Sequence, residues 1–229
     1  MNLNTFGGLV KDGDYDVLIT HGNAVLSEHA TFDTLVVKGI LQTGICQGRR
    51  IILDGGLLSS SSDIISDSIS GHGSIRASAS IRSTHVDFIG DLICNQHLAI
   101  RERIRVNGLV DTRSFQARNA NIIGHINVHK HLEADSLSVQ PMHTAMFERF
   151  GMSEYLKPNE IEGIEARTVT LSNTICGSII ADTVCLSGNT HARKVLYDDD
   201  LKLDRTSSVT VIEHPWKEED DDGLQRKVA

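Results

Sequence analysis

Apolar residues along the chain recur as apolar-x-apolar pairs followed, two positions on, by a turn residue. Leu35-x-Val37-x-Gly39, Ile51-x-Leu53-x-Gly55, Val86-x-Phe88-x-Gly90, Ile104-x-Val106-x-Gly108 and Leu137-x-Val139-x-Pro141 show it most clearly, and Val17-x-Ile19-x-His21 opens the series. The turn positions 21, 39, 55, 71, 90, 108, 124 and 141 are spaced by 16 to 19 residues, with a mean near 17. Alternation resumes beyond each turn, with Leu41, Leu57, Leu92, Val110 and Ile126 two positions on, and Thr43, Ser59, Cys94, Thr112 and Val128 four positions on. Period two on both sides of a bend predicts strand, turn, strand. Such a unit cannot bury its own apolar side, but stacked copies share one core, so the repeat predicts a β-solenoid. After a break the pattern returns at Val169-x-Leu171, Val184-x-Leu186 and Leu201-x-Leu203.

Residues 15–212 are therefore expected to form the solenoid, flanked by a flexible segment 1–14 and an acidic disordered tail 213–229. All three prolines avoid the repeats, as they must if internal strands are paired on both edges. The insert, 142–157, places Met142, Met146, Phe147 and Phe150 at helical spacing between Pro141 and Pro158. It is expected either to pack on the flank of the rod or to contact a partner.

Composition agrees with the pattern. The chain holds 23 Ile, 16 Val and 15 Thr against ten aromatics, so strands with an aliphatic core are favoured. A net charge of −8 argues against wholesale nucleic-acid binding. No apolar run approaches the length of a bilayer span, and the first residues lack the features of a signal peptide. Four scattered cysteines without a CxxC pair suit a reducing, cytoplasmic setting.

Catalytic signatures are missing: the chain has no GxSxG, GxxxxGK[ST] or HExxH, and no GxGxxG that opens a helix. No enzyme activity, cofactor or small-molecule substrate is expected. Among the 11 histidines, His125, His129 and His131 share parity and would suit zinc if the strand ran straight, whereas a corner due before His131 favours solvent exposure. A metal-binding protein using these three, or an enzyme on a hexapeptide-type β-helix, is the alternative. The second requires a strict six-residue subperiod.

The units "VVKGILQTG", "IRVNGLVDT" and "IIGHINVHK", followed beyond the insert by "IEGIEARTVTLSNTICGSIIADTVCLSGNTHARKVLYDDDLKL", resemble the bactofilins, polymer-forming bacterial cytoskeletal proteins, and specifically their Firmicutes type. The resemblance implies a right-handed, three-sided β-helix of about 17 residues per turn that polymerises end to end without nucleotide. It implies a scaffold in cell shape or flagellum-related processes, partnered by itself or by a paralogous bactofilin, in the cytoplasm and often beneath the membrane. Solenoid ends are unpaired edges, so Val17, Ile19, Val25, Leu201, Leu203, Val209 and Val211 are the expected self-association residues. Leu3 and Phe6, lying outside the repeat, are the expected membrane contacts, and Met142, Met146, Phe147 and Phe150 the expected partner contacts.

Overall fold

Side chains that alternate around a bend can be buried only if each bend returns the strand to the same axis, and the chain does so about a dozen times. The computed structural model describes residues 1–142 and 157–214. Their regular structure is all strand: β1 (Asn2–Thr5), β2 (Gly8–Val10), β3 (Gly13–Thr20), β4 (Asn23–Leu26), β5 (Ala30–Val37), β6 (Ile40–Thr43), β7 (Cys46–Ser60), β8 (Ile64–Ala77), β9 (Ile81–Gln140), β10 (Asn159–Ser172), β11 (Thr174–Ser187), β12 (His191–Leu203) and β13 (Ser208–Glu213). Every pairing between them is parallel. The result is a β-solenoid of about 12 turns, about 17 residues apart. β9 is 60 residues long because it winds through successive coils without a break.

Each internal coil turns three doublets inward. In one of them these are Ile81 and Ser83, Val86 and Phe88, and Leu92 and Cys94, with outward residues between and two or more outward residues at each corner. Three doublets make three sides. Stacked coil on coil, they form columns such as Leu18, Leu35, Ile51 and Ile69, which are at most 1% exposed. Coil length varies: Asn2 pairs with Val17, 15 residues on, whereas Arg50 pairs with Ser68, 18 on. Corners absorb the difference.

One corner admits no side chain. A Cβ added at Gly39, Gly73, Gly90, Gly108 or Gly124 would lie 2.0–2.2 Å from the carbonyl oxygen of the glycine one coil below. Backbones pack on backbones there, and the ladder runs through Gly22, Gly39, Gly56, Gly73, Gly90, Gly108 and Gly124. The turn residues read from the sequence were displaced at three coils: Gly22 replaces His21, Gly56 replaces Gly55 and Gly73 replaces Gly71. Gly71 instead lies in the buried column between Leu53 and Phe88.

Three further expectations are corrected. Residues 1–14 are not a free segment: β1 pairs with β3 and β2 with β4, which makes them the first coil. The inward pair of the next coil is Leu18 and Thr20 rather than Val17 and Ile19, because Leu18 registers with Leu35 and Thr20 with Val37. Likewise Leu58 and Ser60 face inward in place of Leu57 and Ser59, since they pair with Leu41 and Thr43. β7 shows a register shift between Asp54 and Gly56 against β8, and the run Gly55-Gly56-Leu57-Leu58 offers apolar residues at either parity.

Candidate functional site

At the first end, β1 and β2 are each paired on one side, and among the described residues no strand covers their outer edges. Leu3 continues the Leu18 column and packs against the core, so it closes the apolar interior and is not a projecting anchor. Val10 registers with Leu26 and is buried. Val17, Ile19 and Val25 sit one coil further in with outward or partly outward side chains, covered by β1 and β2, and do not form the terminal edge. Phe6 is 80% exposed and stacks on His21, ring centroids 4.9 Å apart.

At the other end, the Leu201–Leu203 stretch of β12 pairs with β11 and β13 pairs with β12, again on one side only among the described residues. Leu201 and Leu203 continue the Val184 and Leu186 columns. Val209 continues Ala192, and Ile212 continues Val195. Ile212 is 50% exposed in an inward position because nothing described lies beyond it. Val211 differs: it registers with exposed Lys194 and points away from the axis, since two outward residues occupy the corner. Sequence reasoning selected Val211 and missed Ile212, which only the corner geometry distinguishes.

The last corner is tied by three main-chain donors to the coil above it. Gly188 N–H donates to the Asp204 carboxylate at 2.8 Å, Asn189 N–H to Thr206 Oγ1 at 3.0 Å, and Thr190 N–H to Ser207 Oγ at 3.2 Å. The Gly188 N–H, together with the Ser207 and Thr206 hydroxyls and the Thr206 N–H, holds the Asp204 carboxyl far below the usual carboxylate range.

The three histidines do not converge. His129 faces Asp111 at 3.0 Å and His131 faces Glu165 at 3.8 Å, while half-buried His125 has its pKa lowered by desolvation. Among the described residues no group of three or more His, Cys, Asp or Glu is placed to hold a metal ion. Cys94 occupies its inward column and meets Thr112 Oγ1 at 3.1 Å. Burial raises its pKa and pushes those of Cys46 and Cys176 up to about 12, opposite to the direction a nucleophilic thiolate requires. No helix among the described residues is long and apolar enough to cross a membrane.

The insert leaves after Met142, at the corner where the glycine ladder would continue, and the chain re-enters at Asn159. Met142 is half-buried; Met146, Phe147 and Phe150 lie outside the described residues, as does the tail beyond His214. Comparison with family models, with curated proteins and with solved structures finds no match to this chain.

Proposed function

We propose that the protein is a structural scaffold that polymerises end to end, without nucleotide, in the manner of the bactofilins. One observation carries this reading: an aliphatic column runs from Leu3 through Leu18, Leu35, Ile51 and Ile69 to Leu137, Val169, Val184 and Leu201, and open parallel edges flank it at both ends. Columns that finish at Leu201 and Val209 begin at Leu3 and Val10. A joint between unlike or like ends sets aliphatic residues on aliphatic residues and satisfies the free backbone groups of both edges. An edge of this kind adds further copies unless something blocks it. With the ends consumed by assembly, the flanks remain for partners, and the 142–157 insert offers one docking feature per subunit. A cytoplasmic location, with peripheral membrane contact through exposed Phe6 at the first coil, belongs to the same proposal.

Negative-stain electron microscopy of the purified protein, with sedimentation in nucleotide-free buffer, tests it. Filaments, and a sedimenting mass that grows with concentration, are expected. A discrete monomer at high concentration overturns the reading.

A further inference from the structure

The side of the rod that carries the Leu18, Leu35 and Ile51 column turns two parallel rows of side chains outward. The first row registers from Asn2 and Val17 to His85, passes Arg103, and ends from Ser136 to Asp200. The second registers from Asn4 and Ile19 to Asp87, passes Arg105, and ends from Ser138 to Lys202. Charge on the rows is confined to Arg50, to the central His85, Asp87, Arg103 and Arg105, and to Asp200 and Lys202 in the last full coil. Asp87, Arg103 and Arg105 make no ion pair among the described residues. The other members are Ser, Thr, Asn, Val, Ile or Cys, which cost far less to cover than charge does.

We infer that this side docks on the same side of a second copy, antiparallel, about a two-fold axis that crosses the rod between the coils of Asp87 and Arg105. Counted from β1 these are the sixth and seventh of about 12 coils, so the axis passes through the middle and the two sides overlap along their whole length. The symmetry sets each coil on the one equally far from the other end, and each row on itself. Asp87 then faces the second copy's Arg105 and Arg105 its Asp87, a square of alternating sign, while His85 faces Arg103. Of the remaining row charges, Arg50 faces Ser136, and Asp200 and Lys202 face Asn2 and Asn4.

The rims follow the same order. Beside the first row, Asp33, Arg49 and Asp67 face Arg167, Asp135 and Arg118, so the Arg49–Asp33 and Arg167–Asp135 pairs of the two copies lie head to tail. Asp16 on Asp182 is the one meeting of like charges; Arg101 and Glu102 face Thr84, and Asp198 and Asp199 face β1, which carries no charged side chain. On the rim at the glycine corner, Lys38, Asp54 and Asp204 face Ser172, Gln140 and Phe6, and the insert departs beside Gln140. A slip of one coil in either direction sets Asp33 on an aspartate and Arg49 on an arginine, which is costly. A parallel two-fold joins Asp33 to Lys38, Arg49 to Asp54 and Asp200 to Lys202, but it stacks Arg103 on Arg105 twice at the centre and Asp198 and Asp199 on Asp204 at the end. At about 4.8 Å per coil the overlap is about 53 Å long, and between rims about 13 Å wide, so pairing covers about 1,400 Å² in total, the size of a specific interface. Two single subunits present all of it, so the inference does not rest on end-to-end assembly.

Cys185, a half-buried free thiol, lies on the second row, and the two-fold sets it on Ile19. The two positions are about 43 Å apart within one copy and about 14 Å apart across an end-to-end joint. A disulfide needs Cα atoms within about 7 Å, so a link between them reports the lateral pair. Full-length Ile19→Cys, oxidised with copper phenanthroline and read on a denaturing non-reducing gel, is expected to give a covalent dimer that Cys185→Ser removes. Thr183→Cys, which a parallel pair would set on Cys185, is expected to give no dimer. Asp87→Arg should slow the Ile19→Cys cross-link about tenfold, the effect of reversing two exposed pairs. Asp87→Arg/Arg105→Asp should restore the rate, with folding checked by circular dichroism. The covalent readout is the same whether or not filaments form. Absence of the link between positions 19 and 185, a dimer from Thr183→Cys, or a rate indifferent to Asp87→Arg overturns the inference.

Discussion

Asn159 Oδ1 accepts the backbone N–H of Ile126 at 2.9 Å, joining residues 33 apart in sequence at the point where the chain re-enters the rod. Its Nδ2 donates to the carbonyls of Ser172 and Asn173 at 3.2 Å. Asn159 is 1% exposed and stands in a column otherwise filled by Leu41, Leu58, Ile75, Leu92, Val110 and Ile126, followed by the buried Thr174 and Thr190. The carboxamide thus supplies a backbone acceptor to the preceding coil at the point of re-entry.

Asn159→Ala leaves a buried N–H and two carbonyls short of partners, a loss of about 2–3 kcal/mol. The thermal midpoint should fall by about 5–10 °C, read by circular dichroism. An unchanged midpoint would show that the carboxamide adds nothing to the seam.

At Gly90, φ is 126° and an added Cβ would sit 2.0 Å from the Gly73 carbonyl oxygen. Gly90→Ala should destabilise by about 3 kcal/mol or more through overpacking and backbone strain. Gly44→Ala is the control: its Cβ would meet only the Glu28 side chain, at 3.4 Å, so stability should change by less than about 1 kcal/mol. Equal denaturant midpoints for the two variants would refute the close-packed corner.

The two ends separate neighbouring residues by direction. Ile212→Arg places a charge in the proposed joint and should leave a folded protein that sediments as short species. Val211→Arg, projecting from the flank, should assemble like the wild type. If both variants form normal filaments, β13 does not make the joint.

Buried thiols set an alkaline limit. Cys46 and Cys176, ordinarily near 9.0, are pushed up to about 12. Between those values the unfolded chain loses thiol protons that the folded chain keeps, so stability is full below pH 9 and declines as pH rises toward 12. Urea titrations from pH 8 to 10.5 should show this decline, with a shallower slope in Cys46→Ala despite its lower starting stability. In the native state, half-exposed Cys185 should react first with a thiol reagent, and the three buried thiols only on unfolding.

Replacing residues 143–156 with a short Gly/Ser linker should leave the thermal midpoint within about 3 °C, because the Asn159 seam lies outside the exchange. Filaments should persist, and a partner captured by the wild type should be lost. Collapse of the fold would instead make the insert part of the core.

The period, the class of fold and most inward doublets were legible because Leu, Ile and Val alternate with polar residues in the middle coils. Parity was lost where apolar residues run together: Val17-Leu18-Ile19 offers both faces, and only the register with Leu35 chooses Leu18. The first coil was missed because Leu3 and Val10 are its only inward aliphatics, too few to form a repeat. Ile212 was hidden by an extra corner residue, which shifts alternation by one without a marker in composition. Asn159 reads as an ordinary turn asparagine, since its role arises from a partner beyond the insert.

The glycine corner also determines where the rod can be opened. It contributes nothing to the apolar columns, so a chain that departs there forfeits one backbone step, and an asparagine at the first inward position on return supplies an acceptor in place of one aliphatic side chain. The other glycine steps are equivalent in this respect. One edge of the molecule is thus a row of interchangeable ports at a pitch of about 4.8 Å, and the coil chosen for an excursion fixes the height at which whatever it carries stands along the rod.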